Sequence, residues 1–206
     1  MKILYWTGWA LSRALFKTGG GLRIFGQDNI PKTGGFLLAS NHISYFDPPL
    51  IGSCTSREVY FFGKRELFRN PLFGQILVRV NTLPVKRGVV DRQAIKTSID
   101  IIRKGYGLTF FPEGTRSKTG KLLPPRPGLG LIATQAQCPI VPSVIVGSNQ
   151  FRSCMVRKNR IIVRFGEPFP ADWVKSFNHT KESYREISQA VMARIAELRD
   201  SLLAQD

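Results

Sequence analysis

The sequence predicts an α/β domain: a mixed, largely buried sheet flanked by helices. Three observations point there. From residue 22 onward, short apolar runs with strand character alternate with helical patterns. The stretch 127–151 carries no charge, yet Pro139 and Pro142, with Gln135, Gln137 and Asn149, divide it into a short helix, a turn and a buried strand. Near the end, 180–204 reads as a long charged helix whose apolar stripe is Tyr184, Ile187, Val191, Ile195, Leu198 and Leu202. Strands and helices in alternation build a sheet covered on both faces.

The elements follow in order. Residues 3–16 are rich in Ile, Leu, Trp, Tyr and Phe, but the charge-free run Ile3 to Ser12 is too short to span a bilayer. Wound as a helix, Lys2, Arg13 and Lys17 fall within an arc of about 60°. Trp6, Trp9, Leu15 and Phe16 lie elsewhere. The expectation is an amphipathic helix in a membrane interface, cations toward headgroups and Trp at the boundary. A helix packed on the domain core is the alternative. Gly19-Gly20-Gly21 ends it and has no phosphate-loop context. Residues 1–20 are thus set apart as an N-terminal segment, and 21–206 form the main domain.

Strand 22–25, a turn region 29–35 and strand 35–39 come next. Helix 48–55 is short and apolar. Strand 59–62 leads into the basic, aromatic segment Gly63 to Pro71 and a short helix, 72–79. Residues 81–86 are extended. Asp91 caps an amphipathic helix bearing Ile95, Ile99 and Ile102, stopped by Gly105. Strand 108–111, loop 118–127, helix 128–137, strand 140–146 and strand 160–165 complete the order before the last helix.

The chain has 206 residues, 30 basic against 14 acidic, for a net charge of +16. That length is one domain with at most a small appendage. That charge favours an anionic partner: nucleic acid, an acidic protein, a phosphorylated substrate or an anionic membrane surface. Nucleic acid has the charge alone in its support, because no aromatic RNA-type sheet motif or DNA-reading motif is present. Cys54, Cys138 and Cys154 have no paired spacing and no nearby histidines. This argues against zinc and against a disulfide framework, and fits buried thiols in a reducing compartment. No signal-peptide pattern is evident.

Two stretches are chemically dense. In Asn41-His42-Ile43-Ser44-Tyr45-Phe46-Asp47, His42 and Asp47 are five residues apart. On a helix they would point about 140° away from each other. A turn is needed to pair them, and Pro48-Pro49 supports one, because a helix can start there but not run through. Asp47-Pro48 also reads as an ordinary helix start with Asp as N-cap. The second stretch, Phe111-Pro112-Glu113-Gly114-Thr115-Arg116-Ser117, puts Glu113 and Arg116 at a strand end in a Pro/Gly turn where groups can converge on a ligand. Ser44 is two residues from its would-be base and outside a G-x-S-x-G elbow, so it is read as a turn hydroxyl. His179 lies in a polar linker. A metal site from His42, Asp47 and Glu113 lacks ligand spacing.

With both stretches in view, the sequence resembles the PlsC-type glycerolipid acyltransferases, the lysophosphatidic acid acyltransferase family. Four blocks carry the resemblance in order. They are Asn41 to Asp47 (NHx4D); Gly63 to Phe68 through Pro71 and Gly74 to Arg87; Phe111 to Ser117; and Ile140 to Gly147. The resemblance implies a glycerolipid acyltransferase-like fold and an acyltransferase domain over 21–206. It implies transfer of a fatty acyl group from an acyl thioester, acyl-CoA or acyl carrier protein, to the sn-2 hydroxyl of 1-acyl-glycerol 3-phosphate, giving phosphatidic acid. Another lysophospholipid acceptor, such as an ornithine lipid or a remodelling substrate, is the alternative.

By the same resemblance His42 is the general base and Asp47 orients it, without an acyl-enzyme. Arg87 and Arg116 bind the acceptor phosphate, which guanidinium forks suit. Glu113, Gly114 and Thr115 complete the acceptor site, with the Gly114 turn a candidate oxyanion stabiliser. Lys64, Lys121 and Arg126 are candidates for donor or phosphate contacts. No bound cofactor and no metal are implied. The expected setting is peripheral or monotopic on the cytoplasmic face of a membrane, the inner membrane if bacterial, with acyl carrier protein a candidate partner. The sequence departs from the family at Asn81, where Gly is frequent, and at Lys86, Arg126 and Ser143.

Overall fold

The computed structural model describes residues 2–86, 91–151, 153 and 160–204. Among these, seven strands form one sheet: β1 (Arg23–Phe25), β2 (Phe36–Ser40), β3 (Val59–Lys64), β4 (Thr82–Val85), β5 (Gly107–Phe110), β6 (Ile140–Val146) and β7 (Ile162–Phe165). The spatial order is β1-β7-β6-β2-β5-β3-β4. Every neighbouring pair is parallel except β6 with β7, which is antiparallel, so the sheet is mixed as expected. The helices are α1 (Lys2–Gly20), α2 (Asp47–Cys54), α3 (Pro71–Arg79), α4 (Arg92–Arg103), α5 (Gly128–Ala136), α6 (Ala171–Lys175) and α7 (Lys181–Leu203).

β2 is central, and all five of its residues are buried. Its side chains alternate between two cores, as period two requires. Leu37 and Ala39 join Leu108, Leu129, Ile187 and Ile195 under α4, α5 and α7. Phe36 and Leu38 join Leu50, Ile51, Val141 and Phe165 under α1 and α2. This is why the strand is apolar throughout. Asp91 caps α4 by accepting from Ala94 N at 3.1 Å. Asn70 and Thr180 cap α3 and α7 in the same way. α6 is a single turn or so and leaves no periodic signal in the sequence.

α1 corrects part of the sequence reading. Tyr5 and Phe16 are buried in the α1/α2 core. Trp9 Nε1 donates to Thr55 O at 2.9 Å, and an Arg13 guanidinium nitrogen donates to Ser53 O at 2.8 Å. These two side chains therefore fasten α1 to the end of α2, where helix carbonyls lack intrahelical donors. They are not a headgroup cation and a boundary Trp. Ile3, Leu4, Leu11 and Leu15 remain exposed. No described helix is long and apolar enough to cross a membrane.

Candidate active site

The parallel strands β2 and β5 end side by side, and their exits carry the two dense stretches. Asn41 leaves β2 first. Its side chain accepts from Ile145 N at 2.8 Å and donates to Ile145 O at 2.9 Å, pinning the turn to β6. His42 follows, 6% exposed, with its ring stacked on Phe111 at 4.1 Å between centroids.

The chain then turns so that Asp47 comes back to His42. Nδ1 of His42 donates to Asp47 Oδ2 at 2.8 Å. The same oxygen accepts from Ile43 N and Ser44 N, both at 2.7 Å, and Ser148 Oγ donates to Oδ1 at 2.5 Å. A fully buried carboxyl with four donors is held in one fixed orientation. Asp47 opens α2, but its side chain is spent on the turn and caps nothing in the helix. Ser44 Oγ accepts from Phe46 N at 3.2 Å, the role of a turn hydroxyl.

Asp47 fixes the proton on Nδ1, which leaves the Nε2 lone pair as the basic position. Nε2 has no hydrogen-bond partner among the described residues, and His42 lines a cavity of about 610 Å³. Phe62, Ile95, Phe110, Leu131 and Ile132 make much of its wall. Lys86, Arg126, Lys181 and Arg185 also line it, all four exposed to solvent.

Glu113 ties the second stretch to the first. One carboxylate oxygen accepts from His42 N at 2.9 Å and the other from Leu123 N at 2.9 Å. Burial pushes its carboxyl above the usual range, and the two amides pull the other way. Ser117 N donates to His42 O at 2.8 Å, so both turns share backbone bonds. Gly114 has φ +67°, and a side chain there would stand 2.9 Å from Arg126 Cδ. Its N–H is already given to Phe111 O at 3.0 Å, so this amide is not free for an oxyanion.

The remaining candidates divide. The Arg116 guanidinium lies 3.3 Å over the Tyr45 ring. Thr115, Lys64 and Lys121 are exposed and line no part of the His42 cavity. Arg126 does line it. Arg87 and Cys154 lie outside the described residues; Cys54 and Cys138 are free, buried thiols. Residues 21–146 match the family described as Acyltransferase. This chain belongs to the acyltransferase family.

A 1-acyl-sn-glycerol-3-phosphate acyltransferase of Bacillus subtilis is 28% identical over 194 residues, covering 92% of this chain and 94% of its own. One from Cocos nucifera is 36% identical over 150 residues, covering 69% of this chain and 49% of the plant protein. The crystal structure of the 1-acyl-sn-glycerophosphate acyltransferase PlsC from Thermotoga maritima superposes with a TM-score of 0.72 at 25% identity, covering 96% of this chain and 79% of that one. The acyltransferase sheet described above is thus a shared fold.

Sequence reasoning gave Asn41 and Ser148 no role. Asn41 sits beside His42, where a side-chain amide leaving a buried strand could have been suspected of pairing with a backbone. Ser148 had no local signal, because it follows the far strand β6.

Proposed function

We propose that this acyltransferase moves a fatty acyl group from a thioester to the sn-2 hydroxyl of 1-acyl-glycerol 3-phosphate, with His42 as general base. The observation that carries the reading is the His42–Asp47 pair, 2.8 Å long and buried, opening through Nε2 on an apolar cavity. The activity of the similar acyltransferases from Bacillus subtilis and Thermotoga maritima supports the acceptor.

In this reading the acceptor hydroxyl gives its proton to Nε2 as its oxygen bonds to the thioester carbonyl carbon. The C–S bond then breaks, and the proton passes from His42 to the departing thiolate. Asp47 holds the ring and offsets the imidazolium charge while it exists. By family resemblance Arg116 and Arg87 bind the acceptor phosphate. The apolar cavity suits an acyl chain.

The membrane reading rests on different residues from those the sequence suggested. Ile3 and Leu11 of α1 are 84% and 68% exposed, and Leu72 of the adjacent α3 is 72% exposed. Apolar side chains on neighbouring helices, on a chain of net charge +16, suit an anionic membrane surface on the cytoplasmic side.

The test is acyl transfer to lysophosphatidic acid from palmitoyl-CoA and from palmitoyl-acyl carrier protein, wild type beside His42→Ala. A folded variant slower by about 10² to 10⁴ is the expected result for loss of a general base. Equal rates remove His42 from the mechanism, and a wild type inactive on this acceptor removes the acceptor.

A further inference from the structure

We infer that Lys181 and Arg185, on the first two turns of α7, hold the phosphate of the donor's phosphopantetheine arm at the mouth of the His42 cavity. The inference rests on the proposed acyl transfer and assigns its second substrate a place.

The reaction brings two phosphate-bearing molecules to one imidazole. The acceptor carries a phosphate monoester, and the donor carries the phosphate of its pantetheine arm. Among the described residues, the candidate cations divide between those off the His42 cavity, Arg116 among them, and four along it. Arg116 lies over Tyr45 and lines no part of the cavity. Lys86, Arg126, Lys181 and Arg185 line it, from three different parts of the chain.

Among the described residues, none of these four side chains forms a salt bridge, and of the four only the Lys86 charge acts on the Asp91 carboxylate. Asp91 is the one acidic residue of the cavity wall, and its two oxygens accept from Lys86 N and Ala94 N. Four like charges around one opening repel each other, and a bound anion relieves that repulsion. All four are exposed whereas the wall below them is mostly apolar, so the cations mark the solvent end. A thioester with its acyl chain along the wall and its carbonyl at His42 leaves through that end, phosphate last.

The side of the sheet agrees. The cavity is lined by α4, α5 and α7, which cover one face. α1, with its exposed apolar residues, covers the other. A water-soluble donor therefore meets the opening away from the proposed lipid surface. Both cations lie beyond residues 21–146, so no block of the family resemblance includes them.

The experiment is steady-state kinetics on the full chain with lysophosphatidic acid as acceptor. Palmitoyl-CoA and palmitoyl-acyl carrier protein are tested as separate donors. Lys181→Glu/Arg185→Glu is compared with wild type and with Lys32→Glu/Lys104→Glu, which alters net charge equally at exposed sites off the cavity. The expected result is a donor KM raised about tenfold, with acceptor KM within about twofold and the control unchanged. The donor that shows the rise is the source of the phosphate. A rise in acceptor KM instead assigns the cations to the acceptor and overturns the inference, as does an unchanged donor KM. A wild type that transfers no acyl group overturns the underlying reading, and this is seen before any variant is compared. A double variant that loses its cooperative urea transition is replaced by Lys181→Gln/Arg185→Gln, for which an unchanged KM for both donors again overturns the inference.

Discussion

Ser148 Oγ donates at 2.5 Å to Asp47 Oδ1, the oxygen that His42 leaves free. The turn after β6 thereby helps to aim the carboxylate that aims the imidazole. A hydrogen bond to a charged group contributes roughly 1.5–3 kcal/mol. Ser148→Ala is expected to lower kcat by about tenfold with a smaller change in KM, measured by acyl-transfer kinetics. Unchanged kcat would show that the three donors to Oδ2 hold Asp47 unaided.

Glu113 gives stability a pH dependence with a definite sign. Burial raises its carboxyl above the ordinary value in the folded chain. Between the two values the folded state keeps a proton that the unfolded chain releases. Stability therefore falls as pH rises through that window. Glu113→Gln stays neutral, so it is expected to lose less stability than wild type between the ordinary carboxylate value and neutrality. Urea midpoints across that range measure it, and parallel curves would remove Glu113 as the source.

α1 has two faces that mutation separates. Phe16 is 1% exposed and Ile3 is 84% exposed. Phe16→Ala is expected to cost about 3–5 kcal/mol through the cavity it leaves. Ile3→Glu/Leu11→Glu is expected to change stability by less than about 1 kcal/mol and to weaken binding to anionic vesicles. Vesicle sedimentation beside urea unfolding reads both. Undiminished vesicle binding by the double variant would free α1 of a lipid role.

The same helix marks where the sequence stopped being legible. Helical periodicity fixed the angles of Trp9 and Arg13 but not which face meets a neighbour, and the carbonyls of Ser53 and Thr55 decide that. β2 and α4 were readable because burial and spacing agree along each of them. The His42–Asp47 turn was readable because on a helix the two would point apart, and Pro48-Pro49 support a turn there by barring a helix from running through. Ser148 lies 101 positions from Asp47, and no local pattern reports such a contact. Asn81 shows the opposite case. Its φ of +59° explains why glycine is frequent there in the resembling family and why asparagine is tolerated.

The described thiols are expected to be inert. Burial raises both Cys54 and Cys138 to about 12, far above working pH. Thiolate is the reactive form. Iodoacetamide at pH 8 is expected to leave both unmodified in the native protein and to alkylate both after denaturation, read by peptide mass mapping. Rapid native labelling of either would mean that the helices over it open readily.

Gly130 sets how closely α5 and α7 approach. Its N–H donates to Ser188 Oγ at 3.2 Å, and a Cβ there would stand 2.6 Å from Tyr184 Cα. The obstacle is backbone, which cannot rotate away, so α7 has to move. Gly130→Ala is expected to cost about 1–3 kcal/mol, the usual penalty of overpacking, measured as a lower urea midpoint. Because Lys181, Tyr184 and Arg185 line the His42 cavity, the displaced helix start is also expected to raise donor KM in whatever fraction remains folded. A variant as stable as wild type would mean that α7 packs on α5 with slack. The cations at its start would then owe their placement to another contact.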